Sequence, residues 1–355
     1  MATLATNIPT ERQGDRRFVA KRITLGLLAL VGVASLLGLA VGASDTSLWG
    51  ALRDMAIGKE ISLRDHIVLT HIRLPRLLMG LLVGAALAVS GALLQGLFRN
   101  PLADPGIIGV SAGASLGAVL AIVLGAALPL AAALGAWMVP MFAFAGAWGA
   151  TLLLYAIATR QGRTSVATML LAGIALSALT MAMTGVLIYM ADDAQMRDFT
   201  FWNMGSLSGA TWVKLSVAGP LILLPLCIAP FLALGLNGLA LGEMAARHMG
   251  ISVQTVKRAT ILCVAAATGA AVAVSGGIGF VGIVVPHVLR LVAGPDHRHL
   301  LVNSALLGGV VLVLSDVLAR TIIAPAELPI GILTAILGGP FFLWILLRQR
   351  SILDL

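Results

Sequence analysis

The chain has 355 residues, 59% hydrophobic and 11% charged, with a mean hydropathy of +1.02 and a formal net charge of +8. A soluble domain carries roughly 25% charged residues, so a water-soluble globular protein is excluded and a polytopic helical membrane protein is expected. Its 40 glycines would weaken soluble helices, but in a membrane small residues let helix backbones approach closely.

Segment 1–22 is polar and basic and reads as a leader ahead of a first apolar run, 23–43. That run, closing on Val41-Gly42-Ala43, fits either a secretory signal with a cleavage site or a membrane span. The long leader and the even number of crossings favour the span. The second span is the most informative. Arg73 and Arg76 flank Pro75 in RLPR, and the 22 residues from Leu77 to Phe98 carry no charge. At about 1.5 Å per residue they cover the ~30 Å hydrocarbon core. Asn100, Pro101, Asp104 and Pro105 then break the chain. Eight further spans come after it, at 106–127, 137–159, 166–190, 215–236, 258–275, 280–294, 300–319 and 330–347. The run 280–294 is short and adjoins the glycine-rich GGIGFVG. Spans and connectors form one transmembrane domain, 23–348, with a short tail, 349–355.

Lysine and arginine orient the chain. With both termini cytoplasmic, the inner segments hold 15 of the 23 cations, Arg12 among them, while Arg73, Arg76 and Arg320 stay outside. The net charge is mostly topology; without a basic stripe or aromatic platform, no nucleic acid is expected as a partner. The tetrapeptide AVSG recurs at Ala88–Gly91 and Ala273–Gly276, an echo that suits inverted groups of helices.

Chemistry is scarce. The sequence has no GxxxxGK[ST] phosphate loop, no HExxH, no GxSxG elbow and no paired-cysteine metal motif, so neither catalytic nor metal-ligating residues are expected. Cys227 and Cys263 lie in apolar runs and read as packing residues. Asp316 is the main buried acid; four residues before Arg320, it reads as half of an ion pair rather than as a proton relay. A transporter without an ATPase or evident ion coupling draws on another chain. Its docking surface is expected in the connector Leu236–Arg258, where Gly242 and Gly250 bracket a short helix, Glu243–Met249, succeeded by a second amphipathic stretch, Ser252–Lys257.

The chain resembles a known family in RLPR with LLVGAALAVSGALLQGLFRNPLADPGIIGVSAGA, in LALGEMAARHMGI, in SGGIGFVGIVVPHVLRLVAGPDHRHL and in LARTIIAPAELPIGILTAILGGPFFLWILL. These are similar to the permease subunits of type II ABC importers, which import cobalamin, iron siderophores or haem. The match runs from about Ile72 to the C-terminus and leaves Leu124–Trp137 without a counterpart. The resemblance implies an all-α fold of about ten transmembrane helices with inverted repeats, a homodimer with the pathway at its interface, two cytoplasmic ATP-binding subunits and one periplasmic binding protein. It places the chain in the bacterial inner membrane among lipid, with no cofactor of its own; ATP and magnesium sit on the partner ATPase. It implies that Arg73, Arg76 and Arg320 receive acidic residues of the binding protein. It implies that Asn100 and Leu102, with Thr164 and Ser165, close the cytoplasmic end of the pathway. The coupling segment it implies is 239–255, with Leu239, Gly242, Glu243, Arg247 and Gly250 meeting the ATPase.

Within that family FRNPLADPGIIG and RDFTFWNMGSLSGATW look most like haem-importer permeases, with iron-siderophore or cobalamin import as the alternative. His71 lies near the outer mouth and reads as a headgroup-level residue, while His287, His297 and His299 fall at the other end. Met181, Met183 and Met190 would suit a flat apolar macrocycle. The rival from another class is an ion-coupled secondary transporter.

Overall fold

The helix that begins in RLPR is the most buried of the membrane-length helices among the described residues. A computed structural model describes residues 16–42, 46–129, 131–161 and 163–353. The expected leader lies mostly outside the described residues; its last part, from Arg16, is already helical. In chain order the helices are α1 (Arg16–Ala40), α2 (Leu48–Ala56), α3 (Leu63–Ile67), α4 (Leu74–Phe98), α5 (Val110–Leu124), α6 (Ala131–Leu134), α7 (Met138–Ala158) and α8 (Val166–Met190). They continue as α9 (Asp193–Met204), α10 (Trp212–Ala240), α11 (Glu243–His248), α12 (Val253–Ser275), α13 (Val281–Ala293), α14 (His297–Ala319) and α15 (Ile330–Leu353). Strands β1 (Thr159–Arg160) and β2 (Arg163–Thr164) form a small antiparallel hairpin between α7 and α8.

Eight of these helices are long and apolar enough to cross a membrane, and Val281–Ala293 and Ile330–Trp344 are shorter apolar helices. All ten expected spans therefore coincide with helices. The span read over 280–294 is α13, whose 13 residues rise only about 20 Å and do not cross a bilayer alone.

Helix α4 is apolar on every side, as a core helix must be. Most of its apolar window, 83%, is buried, against 28% for α8, which places α4 at the centre and α8 at the periphery. Small residues make the centre possible. A methyl group at Gly84 would collide with the Gly308 carbonyl of α14, and one at Gly91 with the Gly282 carbonyl of α13. Helix α10 carries Pro220, Pro225 and Pro230 and remains continuous, as membrane helices tolerate proline where a soluble helix would break.

The AVSG echo falls at unlike places. Ala88–Gly91 lies in the body of α4, whereas Ala273–Ser275 ends α12 and Gly276, at φ 71°, caps it. A likeness between two parts of the chain shows instead in the order of the helices. Each half has a long buried helix, a glycine-containing break and a shortened helix, α4 before α5 and α12 before α13. Helix α9 was not expected from the sequence. Its signal was present, since Asp192 and Gln195 form a reciprocal capping box at its start.

Candidate functional site

Two polar clusters occupy opposite ends of the bundle. At one end a π-helical turn, Val68–Arg73, joins α3 to α4 just before Pro75, which lacks the N–H a regular helix would use there. This turn delivers Arg73 and Arg76 to the last turn of α14, which carries Asp316 and Arg320.

Arg76 is the hub. Its Nε donates to both carboxylate oxygens of Asp316 at 2.9 and 3.1 Å, and its Nη2 donates to Asp316 Oδ1 at 2.8 Å. Nη1 and Nη2 donate to Glu327 Oε1 and Oε2 at 2.8 and 2.9 Å, a second two-pronged pair. Asp316 also faces Arg320, Nε to Oδ2 at 3.6 Å, while Arg320 Nη2 donates to the Gly38 carbonyl at 2.7 Å. Arg73 Nη1 donates to the carbonyls of Leu39, Ala40 and Thr46 at 2.7, 3.2 and 3.2 Å. Arg73 and Arg320 thus cap the open carbonyls at the C-terminus of α1, where the helix dipole favours cations. Glu327 lies in the connector between α14 and α15, and the Arg76 hydrogen bond holds its carboxyl below the usual glutamate range.

This arrangement adds two facts to the sequence reading. The Asp316–Arg320 pair exists, but Arg76 is the closer partner of Asp316. The three arginines share one end as expected, yet they are 3, 6 and 5% exposed and their guanidinium groups are engaged inside the chain. Glu327, whose side chain is 34% exposed, is the outward edge of the cluster; it lies within the LARTIIAPAELPIG stretch, to which the sequence reading gave no role at this position.

At the other end, Arg99 closes α4 in the left-handed region and the chain turns at once. Asn100 Oδ1 accepts from the Leu102 N–H at 2.9 Å and the Asn100 carbonyl accepts from Ala103 N–H at 3.1 Å, a side-chain-stabilised turn. Asn100 is exposed and Leu102 half-buried. Asp104 caps the next short turn by accepting from the Gly106 N–H at 2.8 Å, and burial pushes its carboxyl up. Thr164 ends β2 and is buried, while exposed Ser165 caps α8 by accepting from the Thr168 N–H at 3.3 Å. Among the described residues no hydrogen bond joins Asn100 or Leu102 to Thr164 or Ser165.

The connector after α10 also differs from expectation. Leu239 belongs to α10 and is buried, so it cannot meet a soluble partner. The stretch Ser252–Lys257 is not a separate helix; no glycine or proline divides it from the apolar run beyond Arg258, and from Val253 it forms the first turns of α12. The part that projects is α11 with its flanks. Gly242 and Gly250 turn the chain at φ 103° and 79°; Met244, Arg247 and Met249 are exposed between them, as is Leu241 just before Gly242. No atom lies within 4 Å of a methyl placed on Gly250, so only its backbone angle resists substitution. Gly250→Val is expected to cost roughly 1–3 kcal/mol of local strain and to displace α11 without disturbing the core. Protease susceptibility confined to this connector, with an unchanged unfolding temperature of the bundle, would check it.

The histidines divide as expected between the two ends. His71 is exposed beside His66, with ring centroids 6.2 Å apart, at the arginine end. His297 sits at the far end, where its Nδ1 lies 2.9 Å from Asn237 Oδ1. Met181, Met183 and Met190 are all exposed on α8.

Comparison with known proteins gives this geometry a context. The FecCD transport family profile matches residues 28–348. The hemin transport system permease protein HmuU of Yersinia pestis is 48% identical over 338 residues, covering 94% of this chain and 98% of HmuU. The cobalamin import system permease protein BtuC of Halobacterium salinarum is 45% identical, covering 81% of this chain and 75% of its own. The vitamin B12 import system permease protein BtuC of Salmonella paratyphi A is 41% identical over 95% of this chain and 98% of its own. Among solved structures, a metal-chelate type ABC transporter in an inward-facing conformation superposes with a TM-score of 0.81, at 32% identity, over 92% of this chain and 99% of its own.

Proposed function

The chain belongs to the FecCD transport family, and from that premise we propose that it is a haem-importing permease, moving haem across the bacterial inner membrane. As an ABC transporter permease subunit it is a multi-pass membrane protein that provides the pathway, not the hydrolysis. The observation that carries the haem reading is the 48% identity to HmuU over nearly the whole of both chains. Cobalamin is the second reading, favoured by the BtuC relatives at 45% and 41%.

In this reading two copies form a homodimer, and the pathway runs between them along the exposed methionine-bearing face of α8. The end carrying α11 is cytoplasmic, as are both termini, and α11 docks on a separate ATPase that binds ATP and magnesium. Exposed Leu241, Met244 and Met249 on a connector outside the membrane support a covered, protein-facing surface there. Asn100, Leu102, Thr164 and Ser165 close the pathway at that end. The periplasmic binding protein lands on the arginine cluster, where Glu327 is the accessible edge and Arg76 the charge behind it.

The test is ligand-resolved uptake. Liposomes holding this chain with its ATPase should accumulate haem when given a haem-loaded binding protein, and should not accumulate cobalamin given a cobalamin-loaded one. Cobalamin uptake without haem uptake would overturn the haem reading and leave the permease intact.

A further inference from the structure

Lys257 is the largest fully buried side chain among the described residues, 2% exposed, although it sits only five residues into α12 at the end of the bundle. A lysine so placed would ordinarily extend its flexible stem and leave its ammonium in water. This one turns inward. Its Nζ donates to the Thr164 carbonyl at 2.7 Å and to Glu243 Oε1 at 2.7 Å. One ammonium therefore holds the last residue of β2 and the first residue of α11.

A neighbouring contact doubles the link. Gln254, one turn earlier on α12, accepts from the Thr164 N–H through Oε1 at 3.1 Å. Both backbone groups of Thr164 are thus taken by the first turns of α12. The next residue, Ser165, is the cap from which α8 starts. Chain segments 79 and 93 residues apart, Glu243 and Lys257 on one side and Thr164 on the other, are fastened at a single point. Water would solvate the ammonium at no structural expense, whereas burying it demands that both acceptors stay in place.

We propose that Lys257 is a positioning residue that makes α11, the first turns of α12, the β1–β2 hairpin and the foot of α8 move as one body. The inference rests on the reading of α11 as the ATPase-facing element. It goes beyond that reading by naming how a displacement of α11 reaches α8, which makes no direct hydrogen bond to it among the described residues. A push on α11 is carried through Glu243 and Lys257 to Thr164, and so to α8 with its exposed face. Nothing in the spacing of the sequence signals this, because Thr164 and Lys257 belong to different connectors.

The experiment uses the full transporter complex in liposomes. Lys257→Met keeps an unbranched apolar stem, removes the ammonium and leaves no buried charge on α12; Glu243, 37% exposed at its side chain, can turn to water. The variant should assemble and hydrolyse ATP, yet transport per ATP should fall roughly tenfold, a coupling of the size found between linked sites. Native transport per ATP in Lys257→Met would overturn the proposal. A second measurement does not depend on that variant's folding. With Cys227→Ala and Cys263→Ala as background, spin labels at Arg160→Cys in the hairpin and His248→Cys at the end of α11 report the distance between the two segments. That distance should be the same without nucleotide and with trapped ATP; a change between those states would show that hairpin and α11 move separately and would also overturn the proposal. Absence of ATP-driven uptake by the unmodified complex would instead refute the transport reading on which the inference stands.

Discussion

Asp316→Ala is expected to destabilise the protein by roughly 3–5 kcal/mol, the effect of removing one partner from a buried ion pair. Arg76 and Asp316 have side chains only 7 and 5% exposed, so water cannot replace the lost carboxylate. The guanidinium would keep one partner, Glu327, while Arg320 would lose the acid that faces its Nε. Glu327→Ala should cost far less, within about 1 kcal/mol, since a partly exposed pair is screened by solvent. A third variant separates charge from packing: adding Arg76→Leu to Asp316→Ala should recover part of the loss, because it removes the stranded cation. Thermal unfolding of the three purified variants in one detergent checks the order. If Asp316→Ala and Glu327→Ala proved equally mild, Arg76 would not be a structural hub.

Leu102→Cys carries the second large effect. Leu102 stands in the turn stabilised by Asn100, half-buried in a single chain, with no buried polar group that depends on it. Its replacement should therefore leave folding untouched. If two copies meet across a dimer axis at this turn, the two introduced thiols should form a disulfide under oxidation in at least one nucleotide state. Uptake should then fall to background and return on reduction. A protein that never cross-links at this position has its pathway elsewhere.

The physics of each element decides how much of it was legible in the sequence. All ten expected segments are helical among the described residues, eight of them long enough to cross a membrane, because a helix in hydrocarbon must satisfy its backbone internally and so announces itself by length and apolarity. The short α13 was marked by GGIGFVG for the same reason: a glycine-rich break at membrane depth is tolerated only inside protein. Sequence spacing also gave Asp316 and Arg320, since four residues on a helix share a face. It could not give Arg76–Asp316 or Arg76–Glu327, which close loops of 240 and 251 residues. Nor could it reveal that the three arginines are buried, since a charge in RLPR looks the same whether it faces water or a carboxylate. Leu239 entered the coupling segment only through the family resemblance, and α10 runs through it to Ala240. The Lys257 clamp was out of reach, being made of a backbone carbonyl, a side-chain amide and a carboxylate from three segments.

This chain is expected to move its ligand only with energy supplied by another protein. The direct test is uptake into liposomes containing the purified chain, measured under an imposed proton or sodium gradient and then, without a gradient, with the ATPase subunit, enclosed ATP and a ligand-loaded binding protein. No accumulation is expected under either gradient, whereas accumulation should begin with the ATPase and stop when ATP is replaced by a non-hydrolysable analogue. Gradient-driven uptake by the chain alone would show instead an ion-coupled transporter that needs no ATPase.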